Sequence, residues 1–361
     1  MYPKLSLLPL FLTTTATSFL LPNPPGRYNV TLTTGPLTDH ARAARTLMLS
    51  VFQPSTCAFT TSIQNMPNKT ASYQGPWIQE MFDIPVDLTP LFLSARLPVC
   101  SSSCSPVLDA PILLYSPGYR GSRLWYNVMA SAIASEGFTV ITIDHPGESN
   151  IIEYPDGHTI YSNLSNANVD DIAPYAPTRA ADISFIIDQL GNMTDLLPAN
   201  VSIDRVGVLG HSLGGAAAVL AASQDPRINA VINLDGPFFG SLPAAGLSTP
   251  VLYIATERED DPRMLSIWPD LTGPKLWIKV KGMAHEAMLD LPAMLQVAGQ
   301  YTGDLAAFFG TVGPEEWAGI MVAFTREWMD GAFGGMVGGG LLDGEGLWRF
   351  PVVEVVRKGN F

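Results

Sequence analysis

The residues Gly210-His211-Ser212-Leu213-Gly214 set a serine between two glycines in a G-x-S-x-G pattern. Alone, a pattern this short arises by chance, and its setting is what gives it weight. An apolar run, RVGVLG (205–210), leads in, and a small-residue helical stretch, GGAAAVLAA, leads out. A strand that turns sharply into a helix lifts a serine oxygen clear of the sheet. The glycines leave no Cβ to clash at the crossing, and the helix start points N–H groups at developing negative charge. Acyl transfer needs this arrangement, so Ser212 is read as a nucleophile.

A serine hydroxyl attacks only when a base takes its proton. The chain has five histidines. His40 lies in the N-terminal part, His145 follows the early strand FTVITID, His158 sits in a polar insertion, and His211 adjoins the nucleophile on a turn that points neighbouring side chains elsewhere. His285, in KGMAHEAML, follows the last apolar run at the carboxyl end of the sheet, where sites of open α/β sheets gather. It also completes the chain order serine, acid, histidine. The acid has two candidate locations: Asp235, closing AVINLD, and the cluster Glu257, Glu259, Asp260 and Asp261 after PVLYIAT. A lone aspartate ending an apolar strand suits a buried partner for histidine, whereas a charge run suits a solvated loop. The residues alone leave both open.

The elements that must position these groups are legible as short apolar runs: PILLYS (111–116), FTVITID (138–144), RVGVLG, AVINLD, PVLYIAT (250–256) and LWIKVKG (276–282). Such runs read as strands covered on both faces. Helical stretches at roughly 123–136, 177–190 and 213–223 intervene, which predicts an α/β architecture: a mostly parallel sheet with helices on both faces. Further helical segments fall near 286–308 and 314–330. Upstream, residues 23–40 read as an extended arm, ARTLMLSVFQP as a strand, and 55–110 as loops around a short helix near Trp77–Phe82. Residues 19–361 therefore read as one catalytic domain with an irregular N-terminal portion over about 19–110. The glycine-rich stretch 331–346 lacks the strand and helix of a phosphate cradle and reads as a loop.

Hydrophobic content of 47% and charged content of 15% suit a chain with a sizeable core. A formal net charge of −13 repels phosphate backbones and argues against nucleic acid as a partner. The first 18 residues carry Lys4, an apolar run and small residues, the layout of a secretory signal peptide, and so of an extracellular protein. Five Asn-x-Ser/Thr sequons, at Asn29, Asn68, Asn163, Asn192 and Asn200, are candidate glycosylation sites. Cys100 and Cys104 bracket three serines and are read as a disulfide closing a small loop, with Cys57 as the alternative partner of either. No Cys/His spacing suggests zinc.

The segments PILLYSPGYRGSRLWY, FTVITIDHPGES, GHSLGG, NLDGPFF and KGMAHEAM together resemble the platelet-activating-factor acetylhydrolases of the plasma and type II kind, over roughly 110–290. The resemblance implies an α/β-hydrolase fold and an ester hydrolase acting on short-acyl phospholipids without metal or organic cofactor. It implies that the acid follows the strand after the nucleophile's, which selects Asp235. It further implies an oxyanion hole from the backbone N–H groups of Leu213 and Tyr119. The family's His-Gly is here Pro117-Gly118, a departure beside that hole. Two other readings stay open: a lipase, cutinase or polyesterase on the same fold, and a catalytically silent binding protein. Trp125, Tyr126, Phe238 and Phe239 are candidates to line an acyl pocket. The stripe Trp317, Ile320, Met321, Phe324 and Trp328 reads as core-facing in preference to a lipid anchor.

Overall fold

In the run Ile112–Ser116 every residue is buried, and the side chains divide by parity: Ile112 and Leu114 join one core, Leu113 and Tyr115 another. Period-two alternation with apolar residues on both faces makes a central strand. The computed structural model describes residues 18–57, 60–84, 86–101, 104–165, 168–197, 203–257 and 261–361. The first 17 residues, which carry the expected signal segment, and Asn200 lie outside them.

Nine strands form the main sheet: β1 (Asn29–Asp39), β2 (Arg45–Ser55), β3 (Ile112–Ser116), β4 (Thr139–Asp144), β5 (Val206–His211), β6 (Ile228–Leu234), β7 (Val251–Ala255), β8 (Lys275–Val280) and β9 (Val353–Gly359). Their order is β9-β8-β7-β6-β5-β3-β4-β2-β1. The six strands from β3 to β8 run parallel, while β9 at one edge and β2 and β1 at the other pair antiparallel. Helix α1 (Asn68–Phe82) belongs to the N-terminal part. Helices α2 (Asn127–Ala134) and α5 (Pro314–Phe333) pack in the core that holds Leu113 and Tyr115. Helices α3 (Ala176–Gln189) and α4 (Leu213–Gln224) pack in the other. Because β4 and β5 flank β3 on opposite sides, the carboxyl ends of β3 and β5 diverge at a topological switch point, where a crevice opens.

The N-terminal portion is more regular than its composition suggests. Within the extended arm expected over 23–40, residues 29–39 form the edge strand β1, in register with β2 over their whole length. Pro36 is tolerated there because half the N–H groups of an edge strand face away from the sheet. Within 55–110 lie the strand Thr60–Gln64, helix α1, the helix Thr89–Ser94 and the strand Ala95–Cys100. Local polarity and proline concealed these elements because their partners are distant in sequence.

The disulfide expected between Cys100 and Cys104 is instead Cys57–Cys100, and Cys104 carries a free thiol. The register explains it. Strand 95–100 pairs antiparallel with strand 60–64, so Thr60 lies opposite Cys100 and Cys57 arrives alongside at a Cα–Cα distance of 6.6 Å. The three sulfurs lie within 4.8 Å of one another, so the thiol of Cys104 borders the bridge.

Asn68, Asn163 and Asn192 are exposed, whereas Asn29 is half-buried and its Nδ2 donates to the Cys57 carbonyl at 2.7 Å. The five-residue aromatic and aliphatic stripe of α5 is buried in the core, as its spacing predicts. Among the described residues no helix is long and apolar enough to cross a membrane.

Candidate active site

β5 delivers its chain into α4 through one residue, Ser212, with φ 56° and ψ −123°. A non-glycine residue in this region is strained, and surrounding structure must hold it there. The holding contacts are backbone ones: Ser212 N–H donates to the Leu234 carbonyl at 2.8 Å, and the N–H groups of Gly215 and Ala216 donate to the Ser212 carbonyl. Gly214 allows the turn. A Cβ at this position would lie 2.0 Å from the Ser116 carbonyl oxygen, because the exit of β3 runs directly over the first turn of α4. Gly214→Ala is expected to cost about 3 kcal/mol through overpacking. Thermal melting should show a Tm lower by about 5 °C or more, with activity falling as the loop is displaced. An unchanged Tm would contradict this close approach.

Asp235 follows β6 with φ 51°, a left-handed conformation that aspartate tolerates better than most residues. It is fully buried. The Thr256 N–H donates to Oδ1 at 3.0 Å, and the Thr256 hydroxyl lies 3.1 Å from both carboxylate oxygens. The ring of His285 meets Oδ2 through Nδ1 at 2.6 Å. Since a carboxylate can only accept, Nδ1 carries the proton, leaving the Nε2 lone pair to act as a base. Beside this loop, buried Asp290 accepts from the N–H groups of Val128 (2.7 Å) and Met129 (3.2 Å), tying the start of α2 to the segment that carries His285. Burial pushes the Asp290 carboxyl up to about 8 against the pull of those N–H groups.

Ser212, Asp235 and His285 line one cavity of about 260 Å³, together with Gly118, Tyr119 and apolar walls that include Trp125, Tyr126 and Leu289. A second, apolar cavity of about 330 Å³ between residues 22–25 and α5 has neither a serine nor a histidine in its lining. Leu213 begins α4 directly after the nucleophile, and Tyr119 follows the loop leaving β3. Tyr119 lines the cavity, and Leu213 is fully buried behind Ser212. The acidic cluster behaves otherwise. Glu257 accepts the Gly282 N–H at 2.7 Å and Asp261 caps the helix Pro262–Ile267, while Glu259 and Asp260 lie outside the described residues. Phe238 and Phe239 are buried in the core containing α3 and α4, so of the four aromatic candidates only Trp125 and Tyr126 wall the cavity.

Two features escaped the sequence reading. His211 is not directed away from the site: its ring lies 4.4 Å from that of His285, and its Nδ1 lies 2.9 Å from the Tyr126 hydroxyl. The second is another serine–histidine–aspartate chain. The Ser116 hydroxyl lies 2.9 Å from His145 Nε2, and His145 Nδ1 lies 2.8 Å from Asp182 Oδ2. All three residues are fully buried, so no ester can reach Ser116 and the chain is structural. Its one trace in sequence is His145 at the end of FTVITIDH, since the adjacent Asp144 accepts from Arg123 and nothing local points to a partner in α3.

Burial keeps His145 below its ordinary value, and the hydrogen bonds of Arg45 and His145 overcome burial to hold Asp182 low. A histidine depressed in the folded state stays neutral while the unfolded chain takes up a proton near pH 6.5, so acid favours unfolding. Its stabilising contribution is complete above pH 6.5 and is lost as pH falls below it. His145→Gln keeps a donor and an acceptor but does not titrate. The Tm difference, wild type minus variant, is expected to be flat above pH 7 and to shrink from pH 6.5 to 5. A constant difference across that range would contradict the assignment.

A serine on a strained strand-to-helix turn at a switch point, with a contacting aspartate and histidine on later loops, is an arrangement that comparison with known proteins places in a family. Residues 113–345 match the alpha/beta hydrolase family, and the chain belongs to it. Residues 15–166 match the family of platelet-activating factor acetylhydrolase, isoform II. A probable 1-alkyl-2-acetylglycerophosphocholine esterase of Arthroderma benhamiae is 29% identical over 78% of this chain and 79% of its own. Cutinase 2 of Thermobifida cellulosilytica is 27% identical over 40% of this chain and 46% of its own. The solved structure of a ferulic acid esterase from Streptomyces cinnamoneus superposes with a TM-score of 0.79 at 26% identity, covering 94% of this chain and 100% of that one. The chain is a carboxylic ester hydrolase similar to the platelet-activating-factor acetylhydrolases.

Proposed function

We propose that Ser212, His285 and Asp235 form a catalytic triad that cleaves short-chain carboxylic esters, the sn-2 acetyl group of phospholipids among them, through an acyl-enzyme. The observation that carries this reading is the His285 Nδ1 contact with buried Asp235 at 2.6 Å beside the strained Ser212, all three on one cavity. His285 Nε2 takes the Ser212 proton as the oxygen attacks the ester carbonyl. Asp235 holds the ring in that tautomer and stabilises its charge. The N–H groups of Tyr119 and Leu213 hold the oxyanion, each worth about 10²–10³ in rate. His285 then protonates the departing alcohol, and water attacking the acyl-enzyme with His285 as base restores the serine.

The cavity, at about 260 Å³, is smaller than the roughly 300–1,000 Å³ usual for drug-sized ligands, which favours a short acyl group. A substrate resting on a lipid interface would enter from the same opening. The cutinase and ferulic acid esterase relatives keep a lipase, cutinase or polyesterase on the same fold as a second reading. Hydrolysis of an acetyl ester, a long-chain ester, an sn-2 acetyl phospholipid and a polyester film decides between them. Preference for the acetylated phospholipid over the long chain by tenfold or more supports the first reading, and preference for film or long chain sinks it. Inertness on all four favours a binding protein.

The leader-like residues 1–18 and the exposed sequons support export to the extracellular space as a glycoprotein, with 19–361 as the mature catalytic domain. N-terminal sequencing of the exported chain checks the cleavage point.

A further inference from the structure

Arg179, in α3, is fully buried and lies behind the loop that leaves β3. Its Nη1 donates to the Pro117 carbonyl and, at 3.4 Å, to the Ser116 hydroxyl. Its Nη2 donates to the Gly118 carbonyl at 3.1 Å, and its Nε to Glu148 Oε2 at 2.9 Å. One guanidinium thus grips two successive carbonyls while a buried carboxylate balances its charge.

We propose that Arg179 is the positioning residue of the oxyanion hole: by holding the Pro117 and Gly118 carbonyls it turns the Tyr119 N–H toward the oxygen of the ester carbonyl that Ser212 attacks. The claim rests on the triad reading above. In a planar trans peptide the C=O of one residue and the N–H of the next point in opposite directions. The first of the two peptides displays the rule. Its Pro117 carbonyl faces Arg179, and its Gly118 N–H donates the other way, to the Tyr126 hydroxyl on the cavity wall at 3.1 Å. In the second, the Gly118 carbonyl is held by Arg179 and by the Gly121 N–H at 2.9 Å, so the Tyr119 N–H faces away from the guanidinium. Gly118 and Tyr119 line the cavity, and a Cβ on Gly118 would come within 3.6 Å of the Ser212 Cβ. A cation on the carbonyl also polarises the peptide and makes its N–H a stronger donor.

The test compares Arg179→Lys, the double variant Arg179→Met with Glu148→Met, and Ser212→Ala. Lysine keeps the charge beside Glu148 but has no planar fork to fix two carbonyls. The double variant removes both charges together, so neither is left buried and unpaired. Each is measured for Tm, for kcat and KM on an acetyl ester, and for inhibition by a trifluoromethyl ketone, which forms a tetrahedral adduct with an oxyanion. An oxyanion contact is made only in the transition state. Either Arg179 variant is therefore expected to lose about 100-fold in kcat with KM within threefold, and ketone affinity should fall in parallel. If the lysine variant does not fold, the double variant decides. In a folded variant, kcat within threefold of wild type overturns the proposal. So does a loss shared with KM that leaves ketone affinity unchanged, since that marks general damage to the pocket. If Ser212→Ala is as active as wild type, the triad reading itself has failed, an outcome separate from either.

Discussion

Ser212→Ala is expected to lower kcat on an acetyl ester by about 10⁴–10⁶-fold while leaving KM and Tm close to wild type. The size follows from covalency: without the oxygen there is no acyl-enzyme, and only the oxyanion donors and binding remain to act on a water. The small structural effect follows from the turn. The strained φ of 56° is imposed by backbone hydrogen bonds at Leu234, Gly215 and Ala216, and alanine meets the same backbone cost as serine. A fluorophosphonate should add its mass to the peptide containing residue 212 in the wild type and not in the variant. Residual activity within tenfold of wild type, or labelling elsewhere, would remove Ser212 from the chemistry. Ser116 is the natural control. It belongs to a hydrogen-bonded serine–histidine–aspartate chain but is fully buried, so Ser116→Ala should leave labelling at Ser212 intact.

That control shows why the site was readable where it was. GHSLGG is legible because its small residues answer steric demands close in sequence, such as Gly210, where a Cβ would lie 2.3 Å from the carbonyl carbon of Gly214. The parallel strands are legible because burial on both faces demands unbroken apolar runs. Partnership is a different matter. Position along the chain argues against His145 as the base, and the turn beside the nucleophile argues against His211. Yet one meets Asp182 in α3, and the other lies tilted beside the His285 ring and contacts Tyr126, pairings fixed only once helices settle on the sheet. Arg179 looks like a polar residue of an amphipathic helix, and nothing local shows that it reaches two carbonyls beyond β3. The misplaced disulfide has the same origin: nearness in sequence favoured Cys104, while strand register delivered Cys57. Short-range sterics write themselves into local sequence, and tertiary hydrogen bonds do not.

The choice of acid is the place where that lesson has the largest consequence, because the residues alone left Asp235 and the 257–261 cluster both open. Asp235→Asn is expected to lower kcat by about 10³–10⁴-fold with KM little changed. Asparagine suits the left-handed conformation at 235, and its Oδ1 can still accept from Thr256, so the fold should hold. The amide then places an NH₂ group where Oδ2 accepted from His285 Nδ1 at 2.6 Å. Two donors cannot face each other, so the ring takes the tautomer with its proton on Nε2, the nitrogen that must receive the serine proton. Glu257→Gln is the matched control. Its carboxylate caps the Gly282 N–H at 2.7 Å, and the amide oxygen can do the same, so kcat should stay within about threefold. The reverse pattern, a collapse in Glu257→Gln and near-normal turnover in Asp235→Asn, would move the acid to the loop after β7. It would leave the Asp235–His285 contact as a structural tie between two loops. Losses in both variants with lowered Tm would point to a damaged carboxyl edge of the sheet, and Tm read beside kcat separates that case from a tautomer effect.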